Sequence, residues 1–215
     1  MIIYGASASP FVRKVLVAAA EKGIAVESRP FKPRERPADF LEASPFGKIP
    51  ALRDGDFTLA DSSAIIHYFE ALQPDPPLIP AEPKARGKAI WYEEFADTIL
   101  TPVGVKIVFN RFVAPRLLGI EGDAAAADKA EHEDLPPLCD YLERAIPEDR
   151  YLAGGRLTLA DIAVGSIFAS LQQIGTSVER ARHPRLAGYI DSILGRTSFA
   201  NLMAEERHIF AADPA

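Results

Sequence analysis

Three short stretches near the N-terminus carry residue types that can do chemistry together. Ser9 stands before Pro10 at the start of an apolar helical pattern. Ile49-Pro50 follows a Gly47-Lys48 turn, and Asp61-Ser62 precede a second helical pattern. A serine followed by proline reads as an N-cap and first helical residue, so the Ser9 hydroxyl lies beside the positive end of a helix. Pro50 lacks an N–H and cannot hold a central ladder position. It is a candidate cis peptide, because only X-Pro bonds reach cis at low cost; the alternative is a trans proline that merely starts a strand. A cis bond would turn the N–H and C=O of Ile49 toward an extended ligand. The amides that open the helix after Asp61 attract a carboxylate, and Asp61 itself attracts an ammonium. Carboxylate, amine and peptide-like backbone pairing together describe the γ-glutamyl or amino-acid end of a small peptide.

Other chemistries lack their residues. The chain has no GxGxxG, P-loop, HExxH, GxSxG or CxxC pattern. Its four histidines, His67, His132, His183 and His208, are dispersed and not spaced for a metal. The single cysteine, Cys139, permits neither an internal disulfide nor a cysteine metal cluster, and a reducing compartment fits. A net charge of −6 gives no footprint for nucleic acid or an anionic membrane surface. There is no secretory signal and no apolar run near the ~18 residues of a membrane span. The expectation is a soluble cytoplasmic protein with a sizeable core, 48% of its 215 residues being hydrophobic.

The elements that must position these residues can be read in order. Ile2-Ile3-Tyr4 is a short strand that stops at Gly5. A helix with Phe11, Val15, Leu16, Ala18 and Ala19 on its apolar face ends at Gly23, and residues 25–29 form a candidate second strand. Residues 32–40 are basic, proline-bearing and irregular, and a short helix is expected from Pro37 to Ala43. Ala51-Leu52-Arg53 and Phe57-Thr58-Leu59 flank an Asp54-Gly55-Asp56 hairpin signal. Asp61-Ser62-Ser63 then cap a helix carrying Ile65, Ile66, Tyr68, Phe69 and Leu72. The order βαβαββα predicts a mixed sheet with helices packed on it.

Five prolines in residues 74–83 stiffen a linker, which separates domain 1–73 from an all-helical domain 84–215. Two long helical patterns follow, over 84–110 with a bend near Pro102 and over 123–145 with a break at Pro136-Pro137. Thr158 and Asp161 form a capping box, flanked by the apolar pair Leu157 and Ile162. The helix behind it, Ile162 to Leu171, is apolar nearly all round, so Asp161 reads as structural. Shorter helices near 184–195 and 198–207 finish the chain.

Three motifs, taken in order, carry a resemblance that spans nearly the whole chain. They are Ser9-Pro10-Phe11 before a helix ending in Lys22-Gly23-Ile24, then Pro45-Phe46-Gly47-Lys48-Ile49-Pro50-Ala51-Leu52, then Leu59-Ala60-Asp61-Ser62-Ser63-Ala64-Ile65. With the Thr158–Asp161 box they resemble the cytosolic glutathione S-transferases, in particular serine-type, bacterial-like members. The resemblance implies an α/β thioredoxin-like N-terminal domain and an all-α helical-bundle C-terminal domain. It implies glutathione as co-substrate, no metal, and a homodimer. Ile49, beside a cis Pro50, would pair its backbone with the cysteinyl part of glutathione. Asp61 and Ser62 would hold the γ-glutamyl amine and carboxylate. Lys48 would reach the glycyl carboxylate, with Lys32 or Arg34 as competitors.

Ser9 falls where serine-type members have their catalytic hydroxyl and omega-like members a cysteine. A free thiol has a pKa near ~8.5. Lowering it by ~2 units takes roughly 2.7 kcal/mol, about what one charge-assisted hydrogen bond and a helix terminus supply. Tyr4, where tyrosine-type members have their hydroxyl, and Ser7 are rivals. Serine at position 9 argues against thiol–disulfide reductase activity, which needs a sulfur nucleophile. Tyr92, Phe95, Phe109, Arg111 and Phe112 are candidate walls of an electrophile pocket, each with interhelical or dimer packing as the plainer alternative. Besides conjugation, the resemblance leaves two readings. One is a zeta-type isomerase, whose Ser-Ser-Cys run is missing here; the other is a non-catalytic binding module.

Overall fold

Alternation in the first strand sets the layering of the N-terminal unit. In the computed structural model, which describes residues 1–32, 34–147 and 151–211, β1 (Ile2–Tyr4) sends Ile2 and Tyr4 to one face of the sheet. They join Phe31, Phe40, Ala43, Ile49 and Ala51 in a cluster under α2 (Ala38–Ala43). Pro33, which belongs to the basic stretch, and residues 148–150 and 212–215 lie outside the description. The opposite face takes Ile3 and Leu52 and is left to α1 (Pro10–Glu21) and α3 (Ser62–Leu72). Strand β2 (Glu27–Arg29) pairs parallel with β1, and β3 (Ala51–Asp54) pairs antiparallel with both β1 and β4 (Phe57–Ala60). The four-stranded order is β2-β1-β3-β4, the mixed, thioredoxin-like sheet that the sequence predicts. The second strand is shorter than the expected 25–29.

The chain divides into two compact units, Met1–Leu78 and Ile79–Ala215, the division falling within the proline-dense stretch. Both Ile49–Pro50 and Asp75–Pro76 are cis. The second of these is not anticipated by any sequence signal described above.

The second unit is helical throughout its described residues. Helix α4 (Pro83–Phe95) continues through a π-helical turn, Ala96–Leu100, into α5 (Thr101–Val108) and a π-helical stretch, Phe109–Leu117. The bend expected near Pro102 is instead this first wide turn, with Pro102 in the opening turn of α5. Proline lacks the N–H and its ring crowds the carbonyl four residues back; an i→i+5 turn relieves both. The same device separates α6 (Ala124–Lys129) from α7 (Leu135–Ala145): the turn Ala130–Asp134 precedes Pro136, so the break falls before the prolines.

Helix α8 (Leu159–Gln173) is buried from Leu159 to Leu171, as an apolar surface all round requires. Its start is fixed by Asp161. That carboxylate accepts from the backbone N–H of Leu152 (2.9 Å) and Thr158 (2.8 Å), and from the hydroxyls of Thr158 (3.0 Å) and Tyr189 (3.1 Å). Helices α9 (Pro184–Leu194) and α10 (Thr197–Ala211) complete the unit.

Candidate active site

Two helix starts and one turn meet at a cavity of about 310 Å³ in the N-terminal unit, lined by Phe11, Ser44, Phe46, Lys48, Ile49, Pro50, Ala60, Asp61 and Ser62. The local chemistry of each element explains the convergence. Asp61, at φ +83, is the N-cap of α3, and its Oδ1 accepts from the N–H of Ser63 (2.9 Å) and of Ala64 (3.1 Å). This cap occupies one carboxylate oxygen, and Oδ2 takes no hydrogen bond among the described residues. Ser62 follows as the first helical residue, nearly buried at the cavity wall.

The turn that carries Lys48 and Ile49 is closed by a residue the sequence reading passed over. Ser44 Oγ accepts from the Lys48 N–H at 3.0 Å and donates to the Lys48 carbonyl at 2.7 Å, while the Ser44 carbonyl accepts from Gly47 N–H at 2.8 Å. A serine at the head of a Ser-Pro turn is the signal that flags such a side-chain-to-backbone ring. The Arg36 side chain lies against Gly47 of the same turn and does not line the cavity. Lys48 is exposed at the cavity edge; Lys32 and Arg34 are exposed too, and do not line it.

Ser9 is the N-cap of α1, with extended backbone (φ −70, ψ 129) and no capping hydrogen bond from its side chain. It does not itself line the cavity, but Phe11, two residues on, does. The loop before it is pressed close to the turn. Gly5, at φ +126, lies where a Cβ would come within 2.9 Å of the Ile49 Cβ and 2.7 Å of Val12. The rival hydroxyl of Tyr4 is occupied: the residue is 1% exposed and donates to Asp39 Oδ2 at 3.0 Å. Ser7 sits in the turn between them, half-buried.

The five residues proposed as pocket walls fall into two groups. Tyr92 and Phe95 both pack on Tyr141, at ring distances of 6.3 and 5.0 Å, and burial with the neighbouring Tyr141 pushes the Tyr92 hydroxyl up to about 12. Phe112 stacks on Phe210 at 4.6 Å, and Phe109 is half exposed. The Arg111 guanidinium donates to Asp128 at 2.8 Å and pairs with Glu131, so two carboxylates already meet its charge. Burial pushes the Cys139 thiol up to about 12, which leaves it no thiolate at neutral pH. Among the described residues no group of histidine, cysteine and carboxylate side chains is arranged to hold a metal ion.

A mixed β2-β1-β3-β4 sheet with a cis proline at the head of β3, joined to an all-helical unit, has counterparts among known proteins. Residues 3–77 match the glutathione S-transferase N-terminal domain and residues 99–197 the glutathione S-transferase C-terminal domain. Glutathione S-transferase 3 of Zea mays is 32% identical over 209 residues, 94% of this chain and 92% of that protein. A crystal structure of a glutathione S-transferase from Rhodospirillum rubrum superposes with a TM-score of 0.87 at 25% identity, covering 98% of each chain. A stringent starvation protein A homolog of Pasteurella multocida is 25% identical over 199 residues, 93% of this chain and 88% of that protein. This chain belongs to the glutathione S-transferase family.

Proposed function

We propose that this protein is a glutathione transferase that conjugates glutathione to small hydrophobic electrophiles, with Ser9 as the activating hydroxyl. The observation that carries the reading is the division of labour between two helix starts. Asp61 caps α3 with one oxygen and keeps another for an ammonium, whereas Ser9 opens α1 with its side chain uncommitted to capping. In this reading Asp61 and Ser62 hold the γ-glutamyl end, the backbone of Ile49 beside cis Pro50 pairs with the cysteinyl part, and Lys48 meets the glycyl carboxylate. Ser9 Oγ–H donates to the sulfur and, with the α1 dipole, stabilises the thiolate without forming a covalent bond. The thiolate attacks the electrophile and its leaving group departs. The electrophile rests among Tyr92, Phe95, Phe109, Arg111 and Phe112, and two chains associate as a homodimer.

Retention on glutathione resin and thiolate absorbance near neutral pH test the reading. So does Ser9→Ala, which lowers conjugation of an aryl halide at least tenfold with little change in glutathione affinity. Full activity in Ser9→Ala reassigns the hydroxyl. A second reading is a binding module of the same fold without turnover, since one relative of similar coverage carries a name that refers to stringent starvation and not to glutathione transfer. A wild type that neither binds glutathione nor turns over selects it.

A further inference from the structure

The Tyr4 hydroxyl, bound away from the cavity, points to a different task for the carboxylate that holds it. Asp39 lies in the first turn of α2, a six-residue helix. So short a helix has too few internal bonds to stand alone and depends on what ties it down. Asp39 Oδ2 accepts from Tyr4 of β1 at 3.0 Å and from Arg29 of β2 at 3.1 Å, while Oδ1 accepts from the N–H of Phe40 at 2.9 Å. The backbone carbonyl of Asp39 accepts from Arg53 of β3 at 3.1 Å, and the same guanidinium nitrogen donates to Glu42, one turn further along α2, at 2.6 Å. One residue thus connects α2 to three strands. The Arg29 guanidinium also lies over the Tyr4 ring, 5.6 Å from its centroid, and the rings of Tyr4 and Phe40 are 6.1 Å apart.

The connection continues into the cavity wall. The Ser44 N–H, at the end of α2, donates to the Phe40 carbonyl at 2.8 Å, and Ser44 Oγ closes the ring on Lys48. Lys48 leads directly into Ile49-Pro50, and Ile49 packs in the same cluster as Tyr4 and Phe40. We propose that Asp39 is a positioning residue for the glutathione site. It anchors α2 to the sheet through Tyr4, Arg29 and Arg53, and so fixes the 44–48 turn that presents the Ile49 backbone. The proposal rests on the glutathione reading of that cavity for its functional half, and on the hydrogen-bond geometry alone for its structural half.

The affinity of a site whose competent form is only partly populated falls by that fraction. Asp39→Ala removes the carboxylate's ties to Tyr4, Arg29 and the Phe40 N–H and leaves the Arg53 bond to the backbone carbonyl; it raises the dissociation constant for glutathione about tenfold, while kcat at saturating glutathione and the pH at which bound glutathione ionises stay within twofold of wild type. Amide hydrogen exchange rises in residues 38–50 and stays unchanged in α1 and α3. Tyr4→Phe moves affinity in the same direction and adds less than twofold on top of Asp39→Ala. Asp39→Asn, which keeps an acceptor for the Tyr4 hydroxyl, recovers most of the loss. Equal glutathione binding by wild type and Asp39→Ala overturns the proposal and leaves the glutathione reading standing. If the wild type fails to bind glutathione, that reading falls by itself. Exchange then decides the anchor, faster exchange confined to 38–50 supporting it and unchanged exchange overturning it. A uniform rise in exchange across the unit also overturns it, because it reports global loosening.

Discussion

Ser44 commits its hydroxyl to both backbone groups of Lys48, so its removal leaves two polar groups in a tight turn without their partner. Ser44→Ala is expected to cost about 1–2 kcal/mol of stability and to raise the glutathione KM more than it lowers kcat, read from initial rates over a glutathione series. Gly5 is constrained by its neighbours as much as by its φ of +126. Gly5→Ala drives a methyl against Val12 and Ile49 in a backbone region that L-residues rarely adopt. The expected loss is about 2–4 kcal/mol in urea unfolding, with weakened glutathione binding in the molecules that remain folded. The sequence flags a turn at Ser44 and a strand end at Gly5, but not what either residue holds. Ser44 looks like half of a Ser-Pro turn and Gly5 like the end of a strand, because both act across space on residues 48 and 49. Asp61 and Ser9 were legible as helix starts, since an N-cap is a local signal. That Asp61 uses one oxygen for the cap, and Ser9 none, is a property of rotamers that spacing does not carry.

At the scale of elements, short-range punctuation reported the N-terminal unit faithfully. Gly23, the Asp54-Gly55-Asp56 hairpin and the Asp61 cap each end or begin an element within a few residues. The π-helical turns escaped because the hydrophobic pattern runs through them: Phe95, Ala96 and Leu100 are all buried, and nothing in their types distinguishes an i→i+5 bond from an i→i+4 bond.

Helix α8 holds the helical unit's buried polar centre, and its pH behaviour follows from Asp161. Burial pushes that carboxyl up to about 6, while the bonds from Leu152, Thr158 and Tyr189 pull it down. A folded-state value above the ordinary 3.8 means that the native protein binds this proton more tightly than the unfolded chain does. The group's stabilising contribution is therefore full below about pH 4 and is lost as the pH rises through 6. Asp161→Asn cannot titrate and presents an amide to four donors. It should unfold at lower denaturant than wild type at every pH, with the gap narrowing between pH 4 and 7. Asp161→Ala strands those donors and should cost about 3–5 kcal/mol. Where α5 crosses α8, a Cβ on Gly104 would stand 2.6 Å from Ile167 Cγ1. Gly104→Ala should thus lower stability by about 1–3 kcal/mol, measured in the same unfolding experiment.

For the whole molecule, the informative side chain is Phe46. It lines the cavity of the N-terminal unit, yet 91% of its surface is exposed, at the tip of the turn that Ser44 closes. A large apolar ring held out on an ordered turn is a natural contact for a second copy, and two-fold symmetry would use it twice. Burying one such ring is worth about 2 kcal/mol, so the pair contributes about 4 kcal/mol, or roughly a thousandfold in the dimer dissociation constant. Phe46→Ser is expected to convert a species of twice the 23.4 kDa chain mass into the single chain in sedimentation equilibrium, with its circular dichroism unchanged. A wild type that sediments as one chain removes the homodimer, and a variant that stays paired removes Phe46 from the interface. Because Phe46 also lines the cavity, loss of glutathione binding in the variant has two explanations, a missing wall or a missing partner. Dilution separates them. If the partner holds the turn in place, glutathione affinity of the unmodified protein falls as the chain is diluted through the dimer dissociation constant, and saturating glutathione tightens that constant by the square of the affinity ratio, one factor for each of the two sites. If the ring acts only as a wall, affinity is independent of protein concentration.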